Sequence, residues 1–483
     1  MNDTRSRPGA LAQPSRAASK PPLVAAIVCW LAASTSCRPA PLAPGPPSAP
    51  GSPPFPDSPP APVAAVLAPS ASPADDGARA LVASVLQRVS RLRELPALGP
   101  VHARVIDRAT MLTQVQASVR SQIPPEAIRG EGEFLRAFGF LPDDFDYEAG
   151  VYRLIRSQLA GYYDPEVQVM FLMDDLSKDD QETTLAHELV HALQDQHYQL
   201  GPKLAFEPDG NDRQAAIQGL AEGDATSAML DYLLAPGRRT VDVPEDRLRA
   251  QIVATTASAP ELAQFPYVLR ASLVAPYIDG VLFIQRLRLR GGWKAVDAVW
   301  NELPSTTEQI LHLDKLDARE PAEIVPVPSH RALPGNWEPI HTDVYGEQGL
   351  RISFEDWMAP DTAASAARGW GGDRAVVLHH GDATGALQSA AAWHLRFDPG
   401  PTAASVDAEA VEAFNAIVSG WGVRPRGGAC RAEPSGRYVA VVRDGRDVAL
   451  VAGPAHGAAQ ARDGRPPTCS LELQWAAEVA AQR

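Results

Sequence analysis

The chain is poor in cysteine, with four in 483 residues. Only Cys430 and Cys469 lie beyond the N-terminal region, so the body of the protein has the makings of one disulfide, and that only in an oxidising compartment. Positive charge is also short. The net charge is −14, and no basic stripe or RNA-binding signature interrupts the acidic balance, so nucleic acid is not an expected partner. The apolar run Leu23 to Ala33 is too short for a membrane span. The length nevertheless leaves ample residues for two or three domains with real cores.

The N-terminus reads as an export signal over residues 1–37. Arg5, Arg7, Arg16 and Lys20 precede the apolar run, and Ser34-Thr35-Ser36-Cys37 follows it. That tetrapeptide resembles a bacterial lipobox, which implies a lipidated Cys37 and a tether to a membrane. It departs from the pattern at Ser34, where Leu is preferred. Ordinary signal-peptidase cleavage and a short uncleaved anchor stay open as alternatives. All three place the body of the protein outside the cytoplasm, lipid-anchored, periplasmic or secreted. Residues 38–76 are dominated by Pro, Ala and Ser, too few apolar side chains to offset the entropy of ordering, and read as an extended linker.

The chemistry concentrates in Thr183 to His197, which contains His187-Glu188-Leu189-Val190-His191. In a helix, residues four apart lie on one face, so both histidines can aim a ring nitrogen at one ion. Glu188 sits about 100° around the helix, beside the ion, where it can take a proton from a metal-bound water. Leu185, Ala186, Leu189, Val190, Ala192 and Leu193 supply apolar flanks, and Asp179 or Asp180 is expected to cap the start. A catalytic Zn2+ needs a third protein ligand. Glu222 lies in a downstream helix of small and apolar residues, where a carboxylate is costly unless paired or metal-bound, and is the expected third ligand. Gly219, Gly223 and Ala225 are expected to let that helix pack closely on the His187 helix. His197, Asp195 and Asp224 compete less well. Asp195 is placed to accept the spare imidazole proton of His191, and Asp224 to support a ligand histidine from behind.

H-E-x-x-H followed by a Glu on a second helix resembles the gluzincins, the thermolysin-like branch of the zinc metallopeptidases. The resemblance implies zinc held by His187, His191 and Glu222, with Glu188 as the catalytic base. The chain departs from thermolysin-like enzymes after Glu222, where Thr226 stands in place of an Asp. Gluzincins often steady the oxyanion with a downstream Tyr or His. His312, Tyr277 and Tyr232 are candidates by chemistry, and His312 is carried forward beside Glu188 as the expected catalytic partner. Gly161-Tyr162-Tyr163-Asp164-Pro165, the run His187 to His197, Glu222-Gly223-Asp224 and Ser305 to His312 together are more closely similar to a group of exported bacterial and archaeal proteins. That likeness implies a fold and a metal, and no substrate.

Around this centre the pattern predicts an α+β protein: a predominantly helical domain over 77–335, which the resemblance implies is a zincin-like metallopeptidase domain, and a smaller α+β sheet domain over 336–483. Helices are expected over 109–122, from Pro124-Pro125 to about 138, and over 152–160. A strand is expected over 101–106, a turn at Gly161 to Pro165, and a strand over 167–173 that is positioned to be an edge for an added peptide strand. Pro276 to Gly280 should break the apolar stretch Phe265 to Arg290. Thr306 should cap a short helix. Gly349 to Phe354 reads as a strand and Gly369 to Asp373 as a tight turn. Strands follow at 375–379, 393–397, 438–443 and 448–452, with a helix at 408–418. His379-His380 is a tempting metal pair, but neighbours on a strand face opposite sides. The function this reading favours is an exported, zinc-dependent peptidase acting on peptides or proteins. The alternative is a non-catalytic envelope binding or scaffold protein with the same fold and a structural zinc.

Overall fold

The structure is a computed structural model. It describes residues 73–483 apart from 159, 235, 258–259, 382–386, 426 and 456–468. The export segment with Cys37, and the linker up to residue 72, lie outside the described residues. The protein is α+β, with a predominantly helical part followed by a smaller part built on one sheet.

In chain order the helical part comprises α1 (Pro73–Arg93), β1 (His102–Ile106), α2 (Arg108–Gln122), α3 (Pro125–Ala137), α4 (Tyr147–Gln158), β2 (Gly161–Asp164), β3 (Val169–Met173), α5 (Lys178–Tyr198), α6 (Asn211–Leu233), α7 (Glu245–Ala257), α8 (Tyr267–Gly291), α9 (Trp293–Asn301) and α10 (Thr307–Leu311). The second part comprises β4 (Glu338–Asp343), α11 (Gly346–Glu355), α12 (Pro360–Ala367), β5 (Trp370–Gly381), β6 (Leu387–Phe397), α13 (Ala408–Gly420), β7 (Ala429–Ala432), β8 (Tyr438–Asp444), β9 (Asp447–Ala452) and α14 (Ser470–Ala480). Helix α1 begins inside the stretch expected to be linker.

A three-stranded sheet in the order β1-β3-β2 lies under the helices, with β1 parallel and β2 antiparallel to β3. Strand β3 is therefore central and buried along its whole length, not the expected edge. Its parallel partner comes from far upstream, and such non-local pairing leaves no local signature. The expected turn at Gly161 to Pro165 is instead strand β2. The turn falls one step later, where Asp164 Oδ1 accepts the Glu166 N–H at 2.9 Å and Gln168 takes a positive φ of 54°.

Helix α5 starts at Ser177, whose hydroxyl accepts the Asp180 N–H at 3.2 Å, so the cap is Ser177 rather than either aspartate. Its apolar residues Leu185, Leu189, Val190 and Leu193 join Val82, Val85 and Val89 of α1 and Ile217 and Leu220 of α6 in one core. Each fully buried leucine there contributes about 1.5–3 kcal/mol.

Helix α8 runs unbroken through Pro276. It is long and apolar enough to cross a membrane by composition, but 67% of its apolar window is buried in the fold. Gly280 is a contact residue rather than a breaker. A Cβ there would lie 2.1 Å from the Gly219 carbonyl oxygen, and one on Gly223 would lie 2.2 Å from the Gly280 backbone. Gly223 and the Gly219 carbonyl of α6 thus meet α8, not the His187 helix as expected.

The six-stranded antiparallel sheet has the order β4-β5-β6-β9-β8-β7. Alternation along its strands feeds two cores. Ala375, Val377, Trp393 and Val441 pack with Ala413 and Ile417 of α13, while Val376, Leu378, Ala392 and Val442 pack with Trp475 and Val479 of α14. The first core continues into the helical part through Phe134 of α3, Phe138 just after it, and Leu269 and Leu273 of α8. The Phe134 ring stacks on Tyr345 at 4.5 Å and meets Trp393 edge-on at 5.4 Å.

Residues 349–354 lie within helix α11, not a strand. Leu350, Ile352 and Phe354 are all buried because α11 is enclosed on several sides, and that burial imitates strand alternation. The expected tight turn at Gly369 to Asp373 is largely the start of β5. Thr306 does cap α10, accepting the Gln309 N–H at 3.3 Å.

Cys430 on edge strand β7 is bonded to Cys469 just before α14, 39 residues away in sequence. Closing a loop of that size removes unfolded-state entropy. Replacing either cysteine with Ser should lower the unfolding free energy by about 2–4 kcal/mol, read by denaturant titration of the oxidised protein. An unchanged midpoint would show that the bond does not constrain the unfolded chain.

Candidate metal centre

Helices α5 and α6 meet with four ionisable groups between them. His187 and His191, one turn apart on α5, point the same way, and Glu222 of α6 closes the third corner. His187 Nε2 stands 3.1 Å from Glu222 Oε2 and 3.2 Å from His191 Nε2, and His191 Nε2 stands 3.6 Å from Glu222 Oε2. Ligand atoms about 2.0–2.2 Å from a tetrahedrally bound zinc are themselves roughly 3.3–3.6 Å apart, so these three atoms are spaced as corners around one small ion. The donor set, two imidazoles and a carboxylate, suits zinc chemically.

Glu188 lies beside this triangle. Its Oε2 accepts the Tyr163 backbone N–H at 3.0 Å, while its Oε1 is buried with no hydrogen-bond partner among the described residues. Glu222 Oε1 and His187 Nδ1 are likewise buried and unpartnered. Buried polar atoms are seldom left so, and their clustering here fits a place that takes a polar guest.

Burial pushes the Glu188 carboxyl up to about 8, and the Glu222 charge adds to this against the counter-pull of His191 and the Tyr163 N–H. Burial also raises Glu222, but the two imidazoles outweigh it and hold that carboxyl down to about 2. His191 is lowered by burial and raised more by Glu222 and Glu188, ending near 9. His187 is lowered, chiefly by burial. The opposite shifts of His191 and Glu222 mark a place where positive charge is favoured beside the Glu222 carboxylate.

The groups behind the triad differ from those expected. His191 Nδ1 meets Gln194 Oε1 at 2.8 Å, and Gln194 Nε2 donates to the Ala221 carbonyl at 3.0 Å. Gln194 therefore fixes the His191 ring and ties it to the α6 backbone next to Glu222. Asp195 instead accepts the Tyr163 hydroxyl at 3.1 Å. Asp224 supports no histidine. It is clamped by Arg93 at 2.5 Å and by the Trp300 indole at 2.9 Å, a buried pair that anchors α6 to α1 and α9. The i+3 spacing of Gln194 from His191 was the available signal for its role.

His312 is not drawn into the triad. Its Nε2 meets Glu347 Oε1 at 2.8 Å in a separate cleft with Asp279 and Arg351. Tyr232 donates its hydroxyl to Glu182. Of the three oxyanion candidates, Tyr277 is the one in contact with a triad residue, its ring stacked on His187 at 5.9 Å. His197 meets the Pro96 carbonyl at 2.6 Å. His379 and His380 have separate partners, Glu133 and the Asn336 carbonyl.

Compared with known proteins, residues 336–463 match a family described as a domain of unknown function (DUF8575). That match covers the sheet part and does not reach the metal centre. No curated protein and no solved structure matches the chain.

Proposed function

We propose that the chain is an exported, zinc-dependent peptidase that hydrolyses peptide bonds in peptides or proteins. The observation that carries this reading is the triangle of His187, His191 and Glu222 with the unpartnered Glu188 Oε1 beside it. His187, His191 and Glu222 would hold the zinc. When bound, such an ion polarises a carbonyl and acidifies water. Glu188 Oε1 takes the proton of the attacking water and gives it to the leaving amine. The Tyr163 N–H holds the other carboxylate oxygen, which fixes the direction of Oε1. Tyr163 lies on β2, an edge strand, and its N–H points away from β3 toward Glu188. An extended peptide adding at that edge would pass beside the base. Tyr277, rather than His312, has the position to act on an oxyanion near His187. The disulfide supports residence outside the cytoplasm, with Cys37 as the lipid attachment or with release into the periplasm or medium.

The second reading, a non-catalytic envelope binding or scaffold protein with a structural zinc, is favoured by one observation. His187, Glu188, His191 and Glu222 are all 0% exposed, so a substrate needs an opening to reach them. The test is elemental analysis after passage over a chelating resin, alongside cleavage of a broad peptide library. The peptidase reading expects about one zinc per chain, none in His187→Ala, and cleavage by the parent. Full zinc in His187→Ala would remove this centre, and zinc without any cleavage would favour the scaffold.

Gln194→Ala leaves the three ligand atoms in place but frees the His191 ring. Zinc affinity should fall by about 10- to 100-fold, measured by competition with a chromophoric chelator. Parent-like affinity would show that Gln194 does not orient the ligand.

A further inference from the structure

We propose that Glu131, His341 and Asp343 form a second divalent-cation site, for Mn2+ or Zn2+ and weak enough to be emptied by a chelating resin, that clamps helix α3 to edge strand β4. The three residues come from both parts of the protein. His341 and Asp343 are two apart on β4 and so face the same side of the sheet. Glu131 faces them from α3. The approach is close because residue 130 is glycine, where a Cβ would lie 2.3 Å from the His341 Cβ. One donor atom from each residue lies within 4.8 Å of the other two.

Two further observations point to a cation. The His341 side chain is only 8% exposed and its Nε2 has no hydrogen-bond partner among the described residues, standing 3.7 Å from Glu131 Oε2. Asp343 is 7% exposed, and no Lys or Arg among the described residues pairs with it or with Glu131. Two neighbouring carboxylates in such a place are costly without positive charge. Their other contacts leave room for an ion. Asp343 Oδ1 accepts the Asn211 and Val344 N–H groups at 3.2 and 2.8 Å, leaving Oδ2, and Glu131 Oε2 accepts the Tyr345 hydroxyl at 2.7 Å, leaving Oε1. The mixed set of one nitrogen and two oxygens favours Mn2+ or Zn2+ over Ca2+ and Mg2+, which prefer oxygen alone. The cluster also lines a cavity of about 300 Å³ whose walls include Leu135, Leu269 and Ile352, so water can complete the coordination. This inference is independent of the peptidase reading.

The test uses the full chain, loaded with zinc and cleared of excess on a chelating resin. Mn2+ is then titrated, and binding is followed by loss of the free-ion EPR signal. One Mn2+ should bind per chain, and His341→Ala, Glu131→Gln and Asp343→Asn should each weaken it about tenfold or more. The two isosteric amides carry the test if His341→Ala does not fold. His187→Ala should leave this Mn2+ in place. The proposal is overturned by the absence of saturable Mn2+ binding, by uptake unchanged in all three variants, or by loss of the ion in His187→Ala instead.

Discussion

Glu188→Gln should keep its zinc at the parent's stoichiometry while peptide hydrolysis falls by about 10²-fold or more, the scale of a lost general base. The glutamine side chain has the same size and can still accept the Tyr163 N–H through its carbonyl oxygen, so the fold around it has no reason to move. What disappears is the proton acceptor at the Oε1 position, the atom that no other group among the described residues satisfies. Glu222→Gln should fail differently. Glu222 Oε2 faces both ring nitrogens, at 3.1 and 3.6 Å, and a neutral amide is a poorer ligand than a carboxylate. Its zinc content should drop, and activity with it, in proportion to the metal lost. The pair is read by elemental analysis and by initial rates on one peptide substrate. A Glu188→Gln protein as fast as the parent would refute the base assignment. A Glu222→Gln protein that retains zinc through the chelating resin would remove Glu222 from the ligand set.

The triad was legible because helical periodicity is local. His187 and His191 share a face by spacing alone, and Glu222 stands out as a carboxylate among small and apolar neighbours. The groups that hold the triad were less legible, and for physical reasons. Asp195 and Asp224 looked like supports because carboxylates commonly face ligand imidazoles. Here Asp224 is spent on Arg93, which arrives from α1 far upstream, and the uncharged Gln194 takes the supporting position. The strand errors have the same origin. Nothing near Val169 to Met173 announces that β1 will add in parallel on one side and β2 on the other, and that pairing decides which strand is the edge. Glycine suggests a turn in Gly161 to Pro165 and a break in Pro276 to Gly280, yet Gly161 and Gly280 each permit close approach. A Cβ on Gly161 would lie 2.7 Å from the Phe171 carbonyl oxygen, in the pairing of β2 with β3. Pattern shows where a backbone can bend; only the packed fold shows where two backbones must touch.

That contact makes the second large prediction. Gly223 stands next to Glu222 in α6 and directly against Gly280 of α8. A methyl group on Gly223 would lie 2.2 Å from the Gly280 carbonyl carbon and oxygen, and backbone has no rotamer with which to yield. The helices would have to separate, so Gly223→Ala should destabilise the protein by about 3 kcal/mol or more, at the upper end of overpacking costs. Separation would also shift Glu222 relative to His187 and His191, so zinc affinity should fall with stability. Gly219→Ala is the control, one turn earlier on the same helix. Its Cβ would meet only the Ile310 side chain, at 3.5 Å, an ordinary contact. Relieving a glycine in mid-helix should there stabilise by up to about 1 kcal/mol. Thermal unfolding of the two variants, with zinc content measured on the same samples, should therefore move in opposite directions. If Gly223→Ala melts with the parent and keeps its zinc, the close crossing of α6 and α8 is not what positions Glu222.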